Sequence, residues 1–387
     1  MSDIITSGAL HSELALAAYA TNLVKGEAPD VEKLKKAGMT EAQAQAFKDN
    51  YTVVEQFNGV MGGSMTVFED ADGNKYLAIR GTQPTDLRDG VNDIFYAFTG
   101  YNLQLNELKD KVQEWISEGV LTPHFEVDGH SAGGFTAIAL TQLFPNNITQ
   151  AYVYNSPGTG GIWGDFADML GLSVPDPKVT SFGTADGISL IAGLGSTDGE
   201  KQVFVNTDSN ISHSIINLNN GMQNALLNFQ NFLNTLPAGD RDAITQQLPD
   251  FRDFYLQGGS SVMDVTAGDQ RAFMLGGDKS DKLIGGTAGD VLVGGEGTDL
   301  LMGGKDNDFL FGGTGFDTYV YNVGDGIDTI VDEDNKGQII IKRNGAAILI
   351  HHGYRLCAST TASQAEAFSL HLSEIRHDRW HCRSGQR

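Results

Sequence analysis

The chain has 387 residues, with 49 acidic against 26 basic residues and a formal net charge of -23, which disfavours a phosphate backbone as partner and favours cations. Its length suits two domains, and a hydrophobic content of 40% suffices for a core, but no apolar run is long enough to span a membrane. The opening MSDIITSGALHSELALAAYA lacks a basic segment followed by an apolar one, so no cleavable signal peptide is expected, and two cysteines near the end, Cys357 and Cys382, give the main body no disulfide framework.

Residues 12–24 predict a helix and residues 31–50 one or two more. Residues 64–70 and 74–80 read as strands around a turn at Asp72 and Gly73. Residues 102–118 form an amphipathic helical pattern. HFEVDG then alternates apolar and polar as a half-buried strand does. The following GGFTAIALTQLF spaces Phe135, Ile138, Ala139 and Leu143 at helical intervals. Strands at 151–155, 178–182 and 202–206 and a long helix from about 214 to 233 complete this part. Strands alternating with helices predict an α/β fold with a mostly parallel sheet covered on both faces.

Ser131 falls on the strand-to-helix turn, in Gly-His-Ser-Ala-Gly. Gly129 and Gly133 let strand and helix approach the turn, the arrangement of the nucleophile elbow in α/β-hydrolases. The bland alternative is an ordinary turn whose serine caps the helix. A nucleophilic serine needs a base, and the base an orienting acid. His130 adjoins the serine and cannot turn back onto it. His213 is the one histidine between Ser131 and the repeats described below, so it is the candidate base. The acid is open among Asp165, Asp168, Asp176, Asp186, Asp198, Glu200 and Asp208; Asp186 is favoured because it directly follows a predicted strand. The oxyanion would be held by the N–H of Ala132 and by Thr82, after the strand ending in Ile-Arg-Gly-Thr-Gln. A plain glycine-containing turn is the alternative at Thr82.

From residue 276 to 320 the chain repeats every nine residues: GGDKSDKLI, GGTAGDVLV, GGEGTDLLM, GGKDNDFLF, GGTGFDTYV. The sixth positions are Asp281, Asp290, Asp299, Asp308 and Asp317. The eighth are Leu283, Leu292, Leu301, Leu310 and Tyr319. A flexible linker would not keep an apolar residue in phase, whereas a stacked solenoid requires it. Stacked turns gather carboxylates and carbonyls, oxygen ligands that suit Ca²⁺. The repeats resemble the RTX calcium-binding pattern of parallel β-rolls. Lys279 and Ala288 replace the glycine at position four, so weaker or missing calcium is expected at these early turns, whereas Asp306 is a milder replacement.

GHSAGG, IRGTQ, SPGTGG at 156–161, the Asp after a strand and the later HSI together resemble the fungal-type (class 3) lipase family over roughly residues 10–235. The layout as a whole resembles a bacterial RTX lipase. The resemblance implies a serine ester hydrolase of lipids with Ser131, Asp186 and His213 as triad, secreted to the extracellular space by type I machinery. The same residues would serve a phospholipase A1, and a calcium-dependent surface module with a vestigial hydrolase is a third reading. The resemblance also implies a lid, for which the aromatic cluster Ile94, Phe95, Tyr96, Phe98 and Tyr101 is the candidate; residues 162–172 are a second apolar segment. Expected domains are 1–257 (hydrolase), 265–334 (calcium-binding roll) and 335–387. In the last, residues 337–345 read as a capping strand and the basic, His-rich remainder as poorly ordered.

Overall fold

The structure, a computed structural model, describes residues 4–81, 101–156, 176–184, 199–207, 214–334, 336–343, 346–351, 355–358 and 370–373. The chain divides into two compact units, Met1–Leu226 and Leu227–Arg387.

In the first unit three helices precede the sheet: α1 (Ile4–Ala17), α2 (Val31–Ala37) and α3 (Glu41–Asn50). Asp30 caps α2 by accepting from the Lys33 N–H, and Thr40 and Gln43 form a reciprocal capping box at α3. Helix α1 ends at Ala17, well short of the expected residue 24. Tight turns at Ala18, Tyr19 and Ala20 stop it, and Asn22 adopts φ 57°. The Gln56 side chain then takes the Leu23 N–H and donates to the Ala20 carbonyl, which satisfies backbone a helix would have used.

The strands are β1 (Tyr51–Asn58), β2 (Ser64–Asp70), β3 (Lys75–Arg80), β4 (Phe125–His130), β5 (Ile148–Tyr154), β6 (Asp176–Thr184) and β7 (Gly199–Asn206). They lie side by side in chain order. The first three form an antiparallel meander; β3 to β7 run parallel, as the sequence predicts. Strand β1 was not anticipated. Parallel neighbours need crossovers, and α4 (Tyr101–Ser117) and α5 (Ala132–Leu143) supply those into and out of β4. Met65, Val67, Leu77, Ile79, Val127 and Val153 of the sheet pack with Leu108, Val112 and Trp115 of α4 and Ile138 of α5. Residues Ala132 to Thr141 of α5 are buried on every side of the helix, whereas Leu143, expected on its apolar face, is 46% exposed.

The second unit begins within α6 (Ile215–Thr235), at Leu227, and continues with α7 (Ala238–Gln247) and a roll of two parallel sheets. One contains β8 (Asp253–Gln257), β10 (Ala272–Leu275), β12 (Val291–Gly297), β14 (Phe309–Gly315) and β16 (Thr329–Val331). The other contains β9 (Asp264–Thr266), β11 (Lys282–Ile284), β13 (Leu300–Met302), β15 (Thr318–Asn322) and β17 (Gln338–Arg343), with β18 (Ala346–His351) antiparallel at its end. Successive strands alternate between the sheets, so each pairs two repeats away: Leu283 registers on Leu301 and Leu292 on Leu310. The eighth-position residues Leu283, Leu292, Leu301, Leu310 and Tyr319 are all at most 2% exposed and form one core with Met274, Ile339 and Ile341. The roll begins before the regular repeats, at β8 and β9. Pairing also continues beyond residue 346, through β18 and the pair β19 (Arg355–Ala358) and β20 (Leu370–Ser373).

Candidate functional site

Ser131 stands between the end of β4 and the first turn of α5 with φ 58° and ψ -129°. That combination is sterically costly for any residue with a Cβ, on the order of 1–3 kcal/mol, and persists only where the surroundings enforce it. Three hydrogen bonds do so. The Ser131 N–H donates to the Tyr154 carbonyl on β5 at 2.9 Å, and its own carbonyl accepts from Gly134 at 2.9 Å and Phe135 at 3.3 Å. The side chain makes no capping bond to the helix, which removes the capping-serine alternative. The flanking glycines are required by contact: a Cβ on Gly129 would sit 2.3 Å from the Gly133 carbonyl oxygen, and one on Gly133 would sit 2.4 Å from that of Ile79. Ala132, buried at the start of α5, carries the N–H expected in the oxyanion hole. Gly81 lies against the same turn, since a Cβ there would fall 2.5 Å from the His130 oxygen and 3.0 Å from Ser131 Cβ. Gly81, the last described residue after β3, therefore lies beside the serine. Thr82, Asp186 and His213, and both apolar segments considered as lid or acyl wall apart from Tyr101, lie outside the described residues.

His130 is used structurally: its Nδ1 pairs with the Tyr19 hydroxyl at 2.7 Å. The short turn that ends α1 early is what brings Tyr19 there.

Beneath the elbow, His11 of α1 bridges two β4 carboxylates. Its Nδ1 is 2.7 Å from Asp128 Oδ1 and its Nε2 3.2 Å from Glu126 Oε2, and its ring stacks on Tyr152 with centroids 3.7 Å apart. Burial alone would lower the ring's pKa, but Asp128 and Glu126 more than reverse that and push it up to about 9. Sequence reasoning passed over His11 because it precedes the serine. Its one signal is a histidine in an otherwise apolar helix, opposite a strand whose Asp128 points inward.

In the roll the five repeat aspartates form two ladders on opposite edges. On one, the Asp281 carboxylate accepts from the Met263 N–H (2.7 Å), Asp299 from the Asp281 N–H (2.7 Å) and Asp317 from the Asp299 N–H (3.0 Å). On the other, Asp290 accepts from Ala272 (2.7 Å), Asp308 from Asp290 (2.7 Å) and Asp328 from Asp308 (3.3 Å). Asp328 is a sixth member that the nine-residue period missed. Two extra residues, Tyr321 and Asn322, shift the phase, although the pattern Gly-Asp-Gly-Ile-Asp at 324–328 was readable.

The turns carrying Asp299, Asp308 and Asp317 fit a hard cation. The Oδ2 atoms of Asp299, Asp308 and Asp317 are buried with no hydrogen-bond partner. Burial, the first cause in each case, pushes these carboxyls up to about 7, about 8 and about 6. A cation offsets that cost directly. Among the described residues no three His, Cys, Asp or Glu side chains gather at one point, so a full ligand set would draw on backbone carbonyls, as calcium accepts and zinc does not.

No curated protein matches the sequence. The chain is similar to the extracellular lipase LipA of Serratia marcescens at 15% identity, over 94% of this chain and 77% of that one, with a TM-score of 0.44. It is also similar to the Lip2 lipase of Yarrowia lipolytica (18% identity, 54% and 82%, TM-score 0.34) and to a lipase of Rhizopus microsporus var. chinensis (16%, 46% and 66%, 0.32). Residues 275–310 and 284–319 match the RTX calcium-binding nonapeptide repeat family. With the period of nine, the two aspartate ladders and the buried carboxylate oxygens, this identifies residues 275–319 as RTX calcium-binding repeats, carried on the same chain as an α/β sheet with a strained serine elbow.

Proposed function

We propose that the protein is a secreted serine ester hydrolase of lipids, a triacylglycerol lipase, exported by type I machinery. The observation that carries the reading is the enforced backbone of Ser131, which holds a half-buried hydroxyl at the carboxyl end of a parallel strand, where ligands of open α/β sheets bind. In this reading His213 takes the Ser131 hydroxyl proton as Oγ attacks the ester carbonyl. Asp186 orients the imidazole and stabilises its charged form. The backbone N–H of Ala132 and a donor from Thr82 hold the oxyanion. Collapse of the tetrahedral intermediate breaks the bond to the alcohol, which leaves with the proton from His213. Water, deprotonated by the same ring, then releases the fatty acid and restores Ser131.

The test is labelling by a fluorophosphonate together with hydrolysis of a triglyceride emulsion. Wild type should label and hydrolyse. Ser131→Ala should lose both, and His213→Ala should lose activity by about 10⁴-fold or more, because triad members act as a unit. A wild-type chain that folds but does not label, or a His213→Ala chain that keeps most activity, would overturn the assignment.

A further inference from the structure

The six aspartate-bearing turns of the roll are of two kinds. In the turns at 294–299, 303–308, 312–317 and 323–328, the second and fourth positions both have positive φ. The pairs are Gly295 (106°) and Gly297 (137°), Gly304 (107°) and Asp306 (75°), Gly313 (92°) and Gly315 (129°), and Gly324 (101°) and Gly326 (157°). In the turns at 276–281 and 285–290 neither position does: Gly277, Lys279, Gly286 and Ala288 all stay out of that region.

The side-chain chemistry follows the backbone. In the two early turns the second-position N–H folds onto the turn's own aspartate: Gly277 donates to Asp281 Oδ2 and Gly286 to Asp290 Oδ2, both at 2.8 Å. In the later turns the Oδ2 of Asp299, Asp308 and Asp317 has no partner, although each residue is at most 1% exposed. A buried carboxylate oxygen without a donor is costly, and the same atom four residues after a turned-away N–H recurs three times. The sequence supplies the cause. A left-handed fourth position is free for glycine, tolerable for Asp306 and costly for Lys279 or Ala288.

We propose that calcium binding in this roll begins at residue 294. The turns from Gly294 to Asp328 supply the sites, and the turns at 276–281 and 285–290, closed by their own N–H groups, hold no ion through their aspartates. The early turns then act as a cation-independent start of the roll, with the ion-dependent part built on them. This inference stands apart from the hydrolase reading, because it concerns only the roll.

Calorimetric titration of the full chain with CaCl₂, after chelator treatment and dialysis, tests it. Asparagine keeps the Oδ1 acceptor of each ladder and replaces only the second oxygen. Asp281→Asn/Asp290→Asn should bind the same number of calcium equivalents as wild type. Asp308→Asn/Asp317→Asn should lose at least one equivalent. Lys279→Gly/Ala288→Gly, which frees the fourth position, should gain at least one. Far-UV circular dichroism at millimolar calcium confirms that each chain is folded; should Asp308→Asn/Asp317→Asn not fold, the other two variants decide. Loss of equivalents in Asp281→Asn/Asp290→Asn, an unchanged count in a folded Asp308→Asn/Asp317→Asn, or no gain in Lys279→Gly/Ala288→Gly would each overturn the proposal.

Discussion

The bridge at His11 makes the stability of the first unit depend on pH in a defined direction. The ring's pKa rises from 6.5 to about 9 on folding, held up by Asp128 and Glu126 against the effect of burial. A shift of that size corresponds to roughly 3 kcal/mol. Because the folded value lies above the unfolded one, this stability is fully present below pH 6.5 and disappears as the pH rises through about 9. Asp128, pushed up to about 6 chiefly by burial, titrates below this window and does not mask it. His11→Gln removes the cation and leaves two carboxylates near the base of the elbow. Breaking a buried pair costs about 3–5 kcal/mol. The variant should therefore be much less stable than wild type at pH 6.5, and the gap should narrow by roughly 3 kcal/mol toward pH 9.5. Urea unfolding at saturating calcium and half-unit pH steps, followed by intrinsic fluorescence, measures it. Parallel pH profiles for the two chains would refute a charged His11.

Gly133→Ala places a methyl 2.4 Å from the Ile79 carbonyl oxygen, backbone against backbone, so the elbow must open. It should cost about 1–3 kcal/mol and reduce fluorophosphonate labelling in a chain that still folds, as a thermal melt and gel labelling will show. Leu301→Ala removes a fully buried side chain held between Leu283 and Tyr319 in the roll. It should destabilise the second unit by about 2–5 kcal/mol and raise the calcium concentration needed to fold it, read by circular dichroism during a calcium titration.

How much was legible beforehand differed by region. The roll was almost fully readable, because each repeat pairs with the one two periods away and buries its eighth residue in a shared core, so the period itself states the register. Its extent was not: β8 to β10 and Asp328 lie where the pattern loses a residue type or slips by two, yet stacking continues because the inward position remains apolar. The elbow was readable because its strand, glycines and helix are contiguous. Helix α1 was misplaced because the composition from Ala15 to Ala20 favours a helix, while a side chain 36 residues away, Gln56, takes over the backbone at Ala20.

The sequence by itself determined the parallel α/β pattern, the place of Ser131 and the nine-residue turn, since each is written in neighbouring residues. Only the tertiary structure decided that Ser131 adopts a strained backbone, as the bond enforcing it comes from Tyr154 on the next strand. It alone decided that His11 is a buried bridge, because its carboxylates lie 115 and 117 positions further along the chain. It also divided the six aspartate-bearing turns into two kinds. That division follows the backbone well of the second and fourth positions, in which the turns differ once Lys279 or Ala288 stands at the fourth position in place of glycine or the tolerant Asp306.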